Sequence, residues 1–286
     1  MKIDAKTKIF CVIGDPIEHS LSPAMHNAVF EKLGLNCCYT AFRIKPENLG
    51  SAIKGMQAIA IGGVNITIPH KVSVMEFLDE LSDEARIIGA VNTIKMGEKL
   101  KGYNTDGIGA LRALKDGGAD SKGRHVLLLG SGGAARAIAV TLALKGEISG
   151  LTILGVVREE VEKLAEDVSG NTPINAVGVL LDDRTLKDGL SNADILIHAT
   201  PVGMHPNTDE TLATADLMGS DLKLMDIVYT PLETKLMREA KKAGVKTIVG
   251  GLDMFVNQGA ESEKIWLGID APVELMREVV LGELSE

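Results

Sequence analysis

Residues 125–136 read HVLLLGSGGAAR, and the fold can be worked out from them. Residues 126–129 are uniformly apolar, the pattern of a strand buried on both faces. Gly130-Ser131-Gly132-Gly133-Ala134-Ala135-Arg136 follows, and then an apolar stretch of helical composition. The spacing is G-x-G-x-x-A in strand–loop–helix context. Gly130 permits a tight turn, Gly132 lets backbone approach a pyrophosphate, and Ala135 lets helix pack closely on strand. The helix start then offers its amides to phosphate. A dinucleotide site is the expectation, with Gly130, Ser131, Gly132, Gly133, Ala134, Ala135 and Arg136 as its loop. An acidic residue for the adenosine ribose should end the next strand, about 20 residues on. That strand, 151–154, runs into Gly155-Val156-Val157-Arg158 with no carboxylate at its tip. Arg136 and Arg158 are the candidates for a 2′-phosphate.

Outward from this loop, the chain alternates strands and helices. Strands are expected at 126–129, 151–156, 176–180, 195–199, 223–226 and 246–249, with helices between most of them. That pattern implies a parallel sheet covered on both faces. Towards the N-terminus, strands are expected at 8–14, 38–44 and 63–68, and a hairpin at 90–96 and 101–104. Ser22 reads as the N-cap and Pro23 as the first residue of a helix stopped by Gly34. Another helix spans 46–59. In 63–68, Val64, Ile66 and Ile68 share one face and Asn65 and Thr67 the other. Pro69 is expected to end that strand and open a helix carrying Lys71 in its first turn.

The fold class is therefore α/β. An N-terminal α/β substrate domain (1–106) is followed by a Rossmann-type doubly wound parallel-sheet domain (107–254), and C-terminal helices (255–286) return to the first.

Composition narrows the function. Of 286 residues, 39 are acidic and 30 basic, a formal charge of −9. This argues against nucleic-acid and anionic-membrane partners, which need a basic surface. The cysteines, Cys11, Cys37 and Cys38, suggest no disulfide framework. No apolar run approaches a membrane span and no signal-peptide pattern is present. A cytoplasmic protein is expected. The histidines show no metal-binding spacing, so no metal is expected.

The N-terminal third carries a polar constellation: Ser20 and Ser22 beside a helix start, Asn65 and Thr67 on one strand face, then Lys71, Asn92 and Asp106. Singly, these could be a cap, a solvated strand face or surface charge. Together, hydroxyls, amides, one ammonium and one carboxylate suit a small, polyhydroxylated, anionic ligand.

GDPIEHSLSPAMHN (14–27), GVNITIPHK (63–71), GAVNTI (89–94), GYNTDG (102–107), GSGGAAR (130–136), ATPVGM (199–204) and GLDMFVNQGA (251–260) occur in that order along nearly the whole chain. In these motifs the chain resembles the shikimate/quinate dehydrogenase family. The resemblance implies reduction of 3-dehydroshikimate to shikimate with NADPH, in the pathway to aromatic amino acids. It implies that Ser20 and Ser22 bind the substrate carboxylate, and that Asn65, Thr67, Lys71, Asn92, Asp106 and Gln258 surround the ring hydroxyls. Lys71 and Asp106 are the expected catalytic pair, with Lys71 the acid in reduction; the alternative is that Lys71 chiefly positions substrate and stabilises charge. Gly251 and Met254 lie by the nicotinamide, Thr200 and Pro201 in the cofactor cleft, and Tyr229 at the substrate edge.

Two positions depart from the family pattern. Gly155-Val156-Val157 stands where NADP-using members carry Asn-Arg-Thr, so NADP is expected with NAD as the alternative. His198 stands where Asn is usual, a packing or hydrogen-bonding substitute. Competing expectations are a quinate/shikimate dehydrogenase with NAD or relaxed cofactor use, and a non-catalytic ligand-binding paralogue. A small molecule is the expected partner, and the chain a monomer or homodimer.

Overall fold

The computed structural model describes residues 3–285. It resolves into two compact units, one running to Thr105 and resuming at Val256, the other comprising Asp106–Phe255.

The first unit is built on a mixed sheet. Its elements are β1 (Lys8–Gly14), α1 (Ser22–Lys32), β2 (Cys37–Arg43), α2 (Leu49–Ala58), β3 (Gly63–Ile66), β4 (Glu80–Leu81), α3 (Asp83–Ile88), β5 (Thr93–Lys95) and β6 (Lys101–Tyr103). The sheet order is β2-β1-β3-β5-β6-β4. β1 is parallel to β2 and β3, while β5 is antiparallel to β3 and β6. The period of two along β1 divides the core. Cys11 and Ile13 face a cluster with Ile53 and Val64, while Phe10 and Val12 face Phe30, Tyr39 and Trp266.

Three local expectations are corrected here. Ser22 is not the N-cap of α1. Leu21 is, and having no side-chain acceptor it makes no cap bond, while Ser22 is already the first helical residue. The strand predicted over 63–68 ends at Ile66. Beyond it the Ile68 carbonyl accepts from the Asp15 amide at 3.0 Å, and its side chain is 71 % exposed rather than turned to the core. No helix opens at Pro69. The Lys71 carbonyl is taken by the Val91 amide at 2.8 Å, so it cannot serve a helical turn, and only a 3₁₀ turn forms at Ser73–Phe77.

The second unit contains α4 (Asp106–Asp116), β7 (His125–Leu129), α5 (Gly133–Lys145), β8 (Gly150–Gly155), α6 (Arg158–Asn171), β9 (Ala176–Leu180), α7 (Asp183–Asn192), β10 (Ile195–His198), β11 (Lys223–Asp226), α8 (Lys235–Lys242) and β12 (Thr247–Gly250). Its six strands are all parallel, in the order β12-β11-β10-β7-β8-β9. The order reverses between β7 and β10. That is the doubly wound arrangement expected from the sequence, and it places a topological switch point beside the glycine loop.

α9 (Gly251–Leu267) begins in the second unit and ends in the first, and α10 (Val273–Ser285) packs on α1. Within the first unit, Trp266 fixes the end of α9. Its indole donates to the Ile94 carbonyl at 2.9 Å and lies where a side chain at Gly63 would meet it at 2.3 Å. Among the described residues, no helix is long and apolar enough to cross a membrane.

Candidate active site

In the first unit, the ends of β3 and β5 hold a buried hydrogen-bonded network. Asn65 and Asn92 are 8 % and 3 % exposed. The Tyr39 hydroxyl donates to Asn65 Oδ1 at 2.6 Å. Asn65 Nδ2 donates to Thr93 Oγ1 at 3.0 Å and Ser262 Oγ at 3.1 Å. Asn92 Oδ1 accepts from the Thr105 amide at 2.8 Å and from Thr93 Oγ1 at 3.0 Å. Asn92 Nδ2 donates to Thr105 Oγ1 at 2.9 Å and reaches Gln258 Oε1 at 3.5 Å. Satisfied networks of this kind are rigid, because each lost bond strands a buried partner.

Of the residues picked out from the sequence, Asn65, Asn92 and Gln258 meet directly here. Ser22 is buried, and its amide donates to Ser20 Oγ at 3.4 Å. Thr67 sits just past β3, its methyl against Gly14, where a Cβ would come within 2.5 Å. Lys71 is half-buried and tied by its backbone to the residue before Asn92. Asp106, 7 % exposed, follows Thr105 directly and opens α4 of the second unit.

Four members of the network were not picked out from the sequence: Tyr39, Thr93, Thr105 and Ser262. Thr93 and Thr105 lie inside GAVNTI and GYNTDG, each next to a residue that was chosen. Ser262 is one helical turn from Gln258, whose carbonyl accepts from Ser262 Oγ at 3.1 Å. Tyr39 is fully buried, and burial pushes its phenol well above the ordinary value, so it remains a neutral donor. Its ring stacks on His26 with centroids 4.3 Å apart, and His26 pairs with Glu263 at 2.6 Å, both wholly buried.

In the second unit, Gly130 has φ +117°, and a Cβ there would lie 2.5 Å from the Ala199 carbonyl oxygen. Only glycine fits. The loops after β7 and β10 thus touch at the switch point, with Thr200 at the contact. Gly132 is the N-cap of α5 and no side chain caps that helix start. A Cβ on Gly132 or Gly133 would meet nothing within 4 Å, so there is open space over the helix start. Ala134 is half-buried, and Ala135, 1 % exposed, packs beneath. This cradle fits a pyrophosphate.

Around the loop, charges pair within the unit. Ser131 Oγ donates to Glu160 Oε2 at 2.6 Å. Arg136 Nη2 meets Asp167 at 2.5 Å, and Arg158 Nη1 meets Glu162 at 3.3 Å. Both cations that the sequence offers to a 2′-phosphate are thus engaged with carboxylates of α6. Val156, 77 % exposed, offers no side-chain donor.

His198 bridges two neighbours. Its Nδ1 lies 2.9 Å from Asp226 Oδ1 and its Nε2 2.5 Å from Thr200 Oγ1. Asp226 also accepts from Thr234 Oγ1 at 2.5 Å and from the Val228 amide at 3.1 Å. Pro201 is exposed on the same loop. Gly251, at the start of α9, is within 2.2 Å of the Ile227 carbonyl for any added Cβ. Met254 is buried, and Tyr229 stacks on Phe255 with its phenol raised by burial. Among the described residues, no group of three or more His, Cys, Asp or Glu side chains could hold a metal ion.

Residues 12–94 match the family profile of the shikimate dehydrogenase substrate binding domain, and residues 251–281 that of the shikimate 5′-dehydrogenase C-terminal domain. The shikimate dehydrogenase (NADP(+)) of Methanopyrus kandleri is 47 % identical, the alignment covering 99 % of this chain and 98 % of the relative. A crystal structure of a shikimate dehydrogenase in complex with NADP+ has a TM-score of 0.91 at 42 % identity, over 100 % of this chain and 98 % of that one. A shikimate 5-dehydrogenase from Listeria monocytogenes, in complex with shikimate and NAD, has a TM-score of 0.93 at 35 % identity, over 98 % of each chain.

Proposed function

The chain belongs to the shikimate dehydrogenase family, and from that membership we propose that it is an NADP-linked oxidoreductase interconverting 3-dehydroshikimate and shikimate. One observation carries the reading: a single chain holds both the buried amide–hydroxyl network around Asn65, Asn92 and Gln258 and a glycine loop at the switch point of a parallel sheet.

Residues 1–106 with 255–286 take the substrate and 107–254 the dinucleotide. Ser20 and Ser22 hold the substrate carboxylate. Asn65, Thr67, Asn92 and Gln258 orient the ring hydroxyls through polar atoms fixed by their neighbours, which lowers the entropy cost of ordering the ligand. The α5 amides and the loop from Gly130 to Arg136 receive the pyrophosphate, while Thr200, Pro201, Gly251 and Met254 flank the nicotinamide half. When bound, the nicotinamide supplies or accepts the hydride at the ring carbon. Lys71 gives its ammonium proton to the ketone oxygen as that carbon is reduced, and takes it back from the hydroxyl in oxidation. Asp106 is the second member of the proposed catalytic pair.

The test is one assay with four arms: purified protein, shikimate or quinate, NADP+ or NAD+, read by the absorbance of the reduced nicotinamide. Shikimate is oxidised, and quinate, with its extra hydroxyl and saturated ring, is turned over at least about tenfold less efficiently. No turnover in any arm would overturn the reading in favour of a non-catalytic ligand-binding protein.

A further inference from the structure

The adenosine end of the dinucleotide site carries a carboxylate that does not lie where the strand pattern puts one. β8 ends at Gly155, and Val156 and Val157 after it are exposed and apolar. Glu160, in the first turn of α6, folds back to the glycine loop, where its Oε2 accepts from Ser131 Oγ at 2.6 Å. Ser131 is the variable residue of the G-x-G turn. A Cβ on Gly155 would lie 3.5 Å from its hydroxyl, so the Ser131–Glu160 pair stands over the tip of β8. In a doubly wound sheet that tip is where the adenosine ribose is read, by a carboxylate for a 2′-hydroxyl or by an arginine for a 2′-phosphate. The two arginines nearby are paired with carboxylates of α6, Arg136 with Asp167 and Arg158 with Glu162. Lys163 also pairs with Asp167, at 2.7 Å.

We propose that Glu160, positioned by Ser131, is the specificity-determining residue of the adenosine ribose site: it accepts the 2′-hydroxyl, disfavours a 2′-phosphate, and so lets the enzyme use NAD(H) alongside NADP(H). This rests on the dinucleotide reading of the glycine loop. It replaces a sequence expectation, since the acidic group absent from the strand tip is supplied from the following helix. Repulsion between Glu160 and a 2′-phosphate is Coulombic and exposed, so it is moderate and weakens with salt.

Two probes without a nicotinamide separate this from catalysis: ADP-ribose and 2′-phospho-ADP-ribose, titrated calorimetrically into the full chain and into Glu160→Gln. The wild type should bind the two within about tenfold of each other, and the ratio should move towards the phosphorylated probe as salt rises. Glu160→Gln keeps a side-chain oxygen for Ser131 but removes the charge. It should tighten 2′-phospho-ADP-ribose about tenfold and weaken ADP-ribose severalfold, with kcat/KM for NADP+ over NAD+ moving in the same direction. Glu160 is exposed at a helix start, so the variant should fold, and a thermal melt checks it. If both probes bind and the substitution leaves their ratio within twofold of wild type, the role of Glu160 is wrong and the dinucleotide site stands. If neither probe binds, both fall. If the ratio shifts while shikimate is not oxidised, Glu160 keeps its role and the proposed activity is the part that fails.

Discussion

The Tyr39 hydroxyl donates to Asn65 Oδ1 at 2.6 Å, and that one bond decides which way round the Asn65 amide sits. With Oδ1 committed, Nδ2 must point to the Thr93 and Ser262 hydroxyls and to the Asn92 carbonyl, at 3.0, 3.1 and 3.2 Å. Tyr39→Phe removes the donor and leaves Oδ1 buried without it. The expected cost is about 1–2 kcal/mol of stability, seen as a lower urea midpoint. The KM for shikimate should rise severalfold while that for the cofactor holds.

Lys71→Met removes the proton donor and keeps the length of the side chain. Turnover should fall about 10²–10⁴-fold, with the KM for shikimate within about threefold of wild type. Asp106→Asn should lower kcat as well, but by less. A Lys71→Met enzyme within a few-fold of wild-type kcat would remove Lys71 from the proton transfer.

Much of this was legible in the sequence. The six parallel strands of the second unit were marked by short apolar runs, and Gly130 by its place between strand and helix. The N-terminal unit was harder, because its decisive contacts are tertiary. The alternation from Val64 to Ile68 suggested a strand of six residues, yet the Asp15 amide and the Val91 amide draw the chain off the sheet after Ile66. The short α3 has only local signals: Ser82 caps it, accepting from the Ala85 amide at 3.1 Å, and Gly89 ends it at φ +71°. Both were readable as helix signals. Glu160 was hidden for a different reason: it lies five residues beyond Gly155, and only the turn into α6 brings it back to Ser131.

Gly130→Ala tests the junction of the two loops at the switch point. The added methyl meets the Ala199 carbonyl oxygen at 2.5 Å, and the φ of +117° is one that alanine rarely adopts. Backbone on both sides must move, so the expected loss is about 2–4 kcal/mol, with dinucleotide affinity falling with it. Thermal melts with and without ADP-ribose measure both.

Asp194 gives a pH dependence with a defined sign. The His125 amide, at 2.9 Å, is the main cause holding its carboxyl below the ordinary 3.8, and Arg124 at 3.2 Å adds to it. A carboxyl whose folded value is depressed contributes stability above its unfolded value and loses it as pH falls through the folded one. Asp194→Asn should therefore melt below wild type at neutral pH, and the gap should close below about pH 4. Because the side chain is 42 % exposed, the difference should stay under about 1 kcal/mol. A gap that widened on acidification would contradict the assignment.

His198 is the residue whose role the structure defines most closely. It is 1 % exposed and joins Asp226, itself fully buried, to Thr200 on the loop that touches Gly130. Truncation acts twice: it opens a cavity and deprives the Asp226 carboxylate of one partner, leaving it Thr234 Oγ1 and the Val228 amide. His198→Ala should cost about 2–4 kcal/mol. His198→Asn can still reach one of the two neighbours but is too short to span both, and should lose about half as much. Since Thr200 then has one fewer anchor, KM for the dinucleotide should rise in both variants while kcat at saturation changes little. Chemical denaturation gives the first quantity and cofactor titration the second. A fall in kcat with KM unchanged would instead make His198 part of the chemistry rather than of the loop's support.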